Sequence, residues 1–164
     1  MKVGFISLGC SKNLVDTEKT IGIFKANGYE IVNDPREAEL IVINTCGFIE
    51  SAKEEAINTI LEMAEYKKKK CKYLIAMGCL VERYKEELEK ALPEVDLFIK
   101  YSQYNSLWEQ IENLIGDNKS KDKYKEFDKV EDRVVSTGEN YAYLKIVTAS
   151  KSTNADITTI FFLV

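Results

Sequence analysis

The chain has no histidine, only 2 prolines among its 164 residues, and no excess of basic charge. Without imidazole there is no Ser-His or Cys-His nucleophile pair and no His-ligated zinc or haem, which leaves thiolate as the only soft metal ligand. With 23 basic against 27 acidic side chains the formal charge is -4, the wrong sign for a surface that wraps nucleic acid. No stretch approaches the roughly 20 apolar residues that cross a bilayer. The start, Met1-Lys2-Val3-Gly4-Phe5, lacks the basic, apolar and small-residue regions of a signal peptide. The expected compartment is therefore the reducing cytoplasm, where the 4 cysteines are free, catalytic or metal-binding rather than paired.

What is present is an ordinary globular composition, 45% hydrophobic and 30% charged, in a chain long enough to bury roughly two-thirds of its unfolded surface without staples. Short apolar runs alternate with helical patterns, the order expected of βαβ units and a parallel sheet. Strands are expected at Val3 to Leu8, Tyr29 to Val32, Leu40 to Asn44, Tyr73 to Met77 and Leu97 to Ile99. Unbroken runs such as Leu40-Ile41-Val42-Ile43 fit strands buried on both faces. Helices are expected from Leu14 to Ala26, Glu50 to Tyr66, Leu80 to Leu92 and about Asn105 to Ile115, with a short turn opened by Asp34-Pro35. Lys67 to Lys70 with Lys72 read as a solvated helix end. Trp108, Tyr101 and Tyr104 read as packing or surface residues. The fold class is α/β, an open, mostly parallel, doubly wound flavodoxin-like sheet over residues 1–115.

Residues 117–133 are mostly Lys, Asp and Glu, so 116–139 is expected as a charged linker. Tyr141-Ala142-Tyr143-Leu144-Lys145-Ile146-Val147 then reads as the lone first strand of a second domain that the chain does not complete.

Cys10, Cys46 and Cys79 each follow a strand, the first, third and fourth, within about two residues of its carboxyl end. That edge of an open α/β sheet is where ligands bind, and neighbouring helix N-termini favour thiolate there. Each is flanked by glycine, in Gly9-Cys10, Cys46-Gly47 and Gly78-Cys79, which permits close backbone approach. Three thiolates in one crevice suit a four-iron cluster with one iron left open, or zinc with a water. Cys71 enters the fourth strand from the opposite end and reads as a packed small hydrophobe. Asn13, Asp16 and Asn44 lie beside the edge and are expected to orient its ligands or to cap and turn the chain.

Three segments, Ser7-Leu8-Gly9-Cys10-Ser11-Lys12-Asn13-Leu14-Val15-Asp16-Thr17-Glu18, Ile43-Asn44-Thr45-Cys46-Gly47-Phe48-Ile49-Glu50-Ser51-Ala52 and Met77-Gly78-Cys79-Leu80, strongly resemble the N-terminal domain of the radical S-adenosylmethionine methylthiotransferases. Within that family, Gly-Cys-Ser-Lys-Asn followed by Val-Asp resembles the RimO-like branch, which places a methylthio group on the β-carbon of an aspartate in a small-subunit ribosomal protein. The branch acting on tRNA adenosine typically reads Gly-Cys-Gln-Met-Asn. The resemblance covers about residues 1–147. It implies that Cys10, Cys46 and Cys79 hold an auxiliary four-iron four-sulfur cluster whose open iron takes the sulfur species bound for the product. It also implies a second cluster that cleaves S-adenosylmethionine in the full-length enzyme. A cofactor is needed because the substrate C–H offers no acidic proton to a side-chain base.

Where the family continues with Cys-x-x-x-Cys-x-x-Cys, this chain reads Val147-Thr148-Ala149-Ser150-Lys151-Ser152-Thr153-Asn154-Ala155-Asp156-Ile157. That abrupt departure fits a shifted reading frame, with a deliberately short or fused chain as the alternative, so 140–164 is expected as the start of the radical domain with an aberrant tail, and the chain alone as inactive. Two other classes stay open. A flavodoxin-like or receiver-like module binding a nucleotide or partner lacks both a Gly-x-Gly-x-x-Gly cradle at Gly9-Cys10-Ser11-Lys12-Asn13 and paired acids after the first strand. A thiol redox enzyme lacks its Cys-x-x-Cys.

Overall fold

The computed structural model describes residues 1–116, 127, 131, 133–137, 141–145 and 159–163, with the backbone alone at 144–145 and 159–163. Five parallel strands, β1 (Lys2–Ser7), β2 (Glu30–Val32), β3 (Leu40–Thr45), β4 (Tyr73–Gly78) and β5 (Leu97–Lys100), form one sheet in the order β2-β1-β3-β4-β5. Four helices connect and flank them: α1 (Ser11–Ala26), α2 (Glu50–Ala64), α3 (Cys79–Ala91) and α4 (Leu107–Ile115). The expected α/β class and parallel sheet are borne out.

The sheet is apolar on both sides because its strands alternate between two cores. Ile41, Ile43, Leu74 and Ala76 pack with Ala56, Ile60, Leu80 and Leu88 on one face. Leu40, Val42, Ile75 and Met77 pack with Ile23, Phe24, Leu107 and Trp108 on the other. Every residue of β3 is buried, as a central strand covered by helices requires. Trp108 and Tyr104 are core residues, and Trp108 meets Phe24 edge to face at 5.1 Å between ring centroids.

The chain leaves β1 for β2 on one side and returns to β3 on the other, so strand order reverses between β1 and β3. The carboxyl ends of these two strands frame the crevice that such a reversal opens. Helix α1 begins three residues before the expected start: Cys10 is extended, and its carbonyl already accepts from Leu14 N at 3.2 Å. Lys12 and Asn13 thereby enter the first helical turn, beside the crevice.

Beyond Gly116 the chain is less linker-like than its composition. Phe127 is 2% exposed in the second core, and its N–H donates to Asn105 Oδ1 at 2.9 Å. Glu18 of α1 is fully buried; Oε2 accepts from Arg133 Nε at 2.9 Å and Nη2 at 2.5 Å, and Oε1 from Ser136 N at 2.6 Å and Oγ at 2.7 Å. Such a carboxylate is tolerable only because every lone pair has a donor. The expected lone strand is also corrected: β6 (Tyr141–Lys145) pairs antiparallel with β7 (Thr159–Leu163) in a separate two-stranded sheet. The partner is the β-branched and aromatic run at the end of the chain, a composition suited to a strand. The charged residues 117–126 and the polar tail 148–158 lie outside the described residues.

Candidate functional site

The three edge cysteines stand on three adjacent strands of the sheet. Cys10 follows β1 as the N-cap of α1 and makes no side-chain cap bond. Cys46 follows β3 directly, and Cys79 is the first residue of α3, straight after β4. All three thiols are free, Cys10 exposed and the other two half-buried.

Two glycines bring these loops into contact. Gly9 has φ +87°, and a Cβ there would lie 2.8 Å from Cys46 Sγ, so a bare backbone is what lets the first loop lie against the second cysteine. Gly78 has φ +106°, and a Cβ there would meet Thr45 O at 2.5 Å and also strike Asn44 Oδ1. Both positions combine a left-handed backbone with no room for a side chain.

Asn13 ties the three loops together. Its amide nitrogen donates to Leu8 O and Thr45 O, each at 3.0 Å. Its carbonyl oxygen accepts from Cys79 Sγ at 3.7 Å. One buried side chain thus holds the end of β1, the end of β3 and the third thiol. Asn44 supports Asn13 from below: its Nδ2 donates to Asn13 O at 2.8 Å and to Thr17 Oγ1 at 3.0 Å. Thr45 Oγ1 closes onto β4 through Met77 O at 2.7 Å. Asp16 is buried, and its charge acts on both Cys79 and Tyr104.

Burial pushes the Cys79 thiol up; the Lys12 charge opposes that rise, while Cys46, Cys10 and Asp16 add to it. Binding a metal there must therefore displace protons, which makes it pH-dependent. Among the described residues no group of three or more Cys, Asp or Glu is arranged to hold a metal ion. A single zinc needs its sulfurs about 2.3 Å from one centre. A cluster distributes its thiolates over separate irons. The donor set, three free thiols with no imidazole in the chain, could serve a cluster of this kind.

The residues beside this edge now admit a comparison with known families. Residues 2–100 match the family described as Uncharacterized protein family UPF0004. The chain belongs to this family. The matched region contains the whole parallel sheet and all three edge cysteines. The chain is also 64% identical over 146 residues to "Ribosomal protein uS12 methylthiotransferase RimO" of Alkaliphilus oremlandii (strain OhILAs), covering 89% of this chain and 33% of that protein. It is 52% identical over 155 residues to the protein of the same name from Acetivibrio thermocellus, covering 88% of this chain and 34% of the relative. The Clostridium perfringens (strain SM101) protein is 47% identical over 150 residues, with 88% and 34% covered. The chain is thus related to the N-terminal part of RimO and spans about a third of the length of the curated relatives it matches.

Outside the edge, a groove of about 500 Å³ runs beside Ile57, Leu80, Tyr84 and Leu88 and carries no cysteine. Phe48 and Ile49, 72% and 62% exposed, stand just beyond Cys46-Gly47. No helix among the described residues is long and apolar enough to cross a membrane. Sequence reasoning missed Lys12, Thr17, Thr45 and Glu18 as contributors. Only Lys12 had a signal, its place two residues after a cysteine.

Proposed function

We propose that this chain is the cluster-binding part of a methylthiotransferase acting on ribosomal protein uS12, with Cys10, Cys46 and Cys79 as the ligands of an auxiliary four-iron four-sulfur cluster. The observation that carries this reading is that three loops bearing free cysteines follow adjacent strands and are tied at one side chain, Asn13, which bonds the loop ends at Leu8 and Thr45 and the Cys79 thiol. A bound cluster with three protein ligands supplies an iron open to an exogenous sulfur group. The chain's own residues do the rest. Gly9 and Gly78 allow the loops to approach, Asn13 and Asn44 fix their spacing, and the amino ends of α1 and α3 favour negative charge on Cys10 and Cys79.

Residues 1–115 form the cluster-binding unit in this reading, and residues from 140 onward begin the next one. The relatives named for uS12 support a ribosomal-protein substrate over tRNA. Transfer of the methylthio group to an aspartate β-carbon needs S-adenosylmethionine and a second cluster, whose Cys-x-x-x-Cys-x-x-Cys motif this sequence does not contain. Free thiols and ribosomal work both suit the cytoplasm.

The test is anaerobic reconstitution with iron and sulfide. About four irons bind per chain, uptake is lost on Cys10→Ser, Cys46→Ser or Cys79→Ser, and it survives Cys71→Ser. An intact fold that takes up no iron overturns the proposal.

A further inference from the structure

Lys12 lies in the first turn of α1 and is only 8% exposed. Its ammonium sits 4.5 Å from the centroid of the Tyr101 ring, and it makes no hydrogen bond or ion pair among the described residues. With no anion in hydrogen-bond reach among the described residues, its charge is answered in part by that ring face. The helix end adds positive charge, because an amino terminus already carries a partial one. The first turn of α1 has no acidic side chain, and its N-cap, Cys10, supplies no capping acceptor. An unpaired cation on a mostly buried side chain, a positive helix end and an unfilled cap thus coincide beside three cysteines.

We propose that Lys12 is the fixed countercharge of this edge, placed to face an anionic, thiolate-ligated group held by Cys10, Cys46 and Cys79. This rests on the cluster reading above and adds a residue to it. Three thiolates bring three negative charges to the edge, and any sulfur anion on an open iron adds more. The lysine stabilises that charge without touching iron, so it is a positioning residue. A cation near a cluster favours its reduced form, since reduction adds an electron and net charge is one of the terms that set the potential. The cationic head is held by the Tyr101 face, so its position does not depend on the ligand.

The experiment compares the unaltered chain with Lys12→Met and Lys12→Arg after anaerobic reconstitution. Iron per chain, the midpoint potential from an EPR-monitored redox titration and the thermal unfolding of the iron-free chains are measured. Lys12→Met is expected to shift the reduction equilibrium at least about tenfold toward the oxidised form, a fall of about 59 mV for one electron. Lys12→Arg restores most of the shift. The iron-free Lys12→Met chain is as stable as the unaltered one or more so, because the cation has no ion-pair partner among the described residues to lose. Failure of Lys12→Met alone to load iron, with its fold intact, supports the same assignment. An unchanged potential, or an iron-free Lys12→Met chain that is destabilised or unfolded, overturns it and leaves the cluster reading standing. No iron in the unaltered chain overturns the cluster reading and this inference with it.

Discussion

At the amino end of the sheet, Cys71 is 4% exposed, packs in the first apolar core and donates its thiol to Tyr73 O at 3.2 Å. Charges around it are matched: Lys67 pairs with Asp96 at 2.6 Å, Asp96 also accepts from Leu74 N at 2.7 Å, and Lys72 pairs with Glu39 at 3.0 Å. At the carboxyl end of the same strands, three thiols are partly open and the nearby cation, Lys12, has no anion among the described residues. The charges around Cys71 are answered within the chain, whereas Lys12 has no anion and the buried Asn44 Oδ1 has no hydrogen-bond partner among the described residues. The first setting favours stability, and the second leaves polar groups unsatisfied at the edge that the cluster reading assigns to a ligand. The same residue type stands in opposite settings because of which end of a strand it adjoins.

The sharpest way to break that contrast is to add one methyl group. Gly78 and Gly28 both have positive φ, +106° and +82°, but a Cβ at Gly28 meets nothing within 4 Å, whereas at Gly78 it meets Thr45 O at 2.5 Å. Gly28→Ala is expected to lose about 1 kcal/mol, the left-handed backbone cost alone. Gly78→Ala adds overpacking against backbone that cannot yield, for about 4 kcal/mol in all. Urea unfolding of the two iron-free variants checks this. Equal losses would mean that the cysteine loops are not held in contact.

A second contrast removes one polar hub from each end. Asn13→Ala leaves the carbonyls of Leu8 and Thr45 without their donor, at about 2 kcal/mol, and iron uptake falls with the loss of loop spacing. Lys67→Ala removes an ion pair whose partners keep 26% and 27% of their side-chain surface in water, at about 1 kcal/mol or less, with uptake unchanged. Asn13→Ala with full iron uptake would show that the loops find their spacing without it.

Strand periodicity made the sheet legible, since runs such as Leu40 to Ile43 can only be buried on both faces, and the cysteine edge followed from where each strand stops. Cap chemistry was harder to read. Cys10 is an unusual N-cap, so the start of α1 was placed at Leu14 instead of Ser11, and Lys12 was left off the helix. Composition misled at the far end. A run of Lys, Asp and Glu reads as solvated, yet Phe127 reaches the core and Arg133 reaches Glu18. Local sequence does not encode a contact between residues more than a hundred positions apart. For the same reason nothing in the local sequence marks Glu18 as a buried residue of α1. The pairing of β6 with β7 was hidden because the strands are separated by a polar stretch with no turn signal.

The smallest effect concerns protons, and it appears only at alkaline pH. Burial raises the Tyr104 hydroxyl well above its usual value near 10, helped by the charges of Asp16 and Cys79, and burial raises the Cys71 thiol at the opposite end. In both cases the folded chain keeps a proton that the unfolded chain releases first, so stability falls as pH rises through the unfolded value. The loss begins near pH 8.5 for cysteine and near pH 10 for tyrosine, with a limiting slope of about 1.4 kcal/mol per pH unit for each group. Tyr104→Phe should flatten the upper limb, and Cys71→Ala should reduce the lower one, to which the buried Cys79 thiol also contributes. Urea unfolding of iron-free chains between pH 7 and about 11 reads both. If Tyr104→Phe kept the full slope above about pH 10, Tyr104 would not be the buried group that the carboxyl end holds neutral.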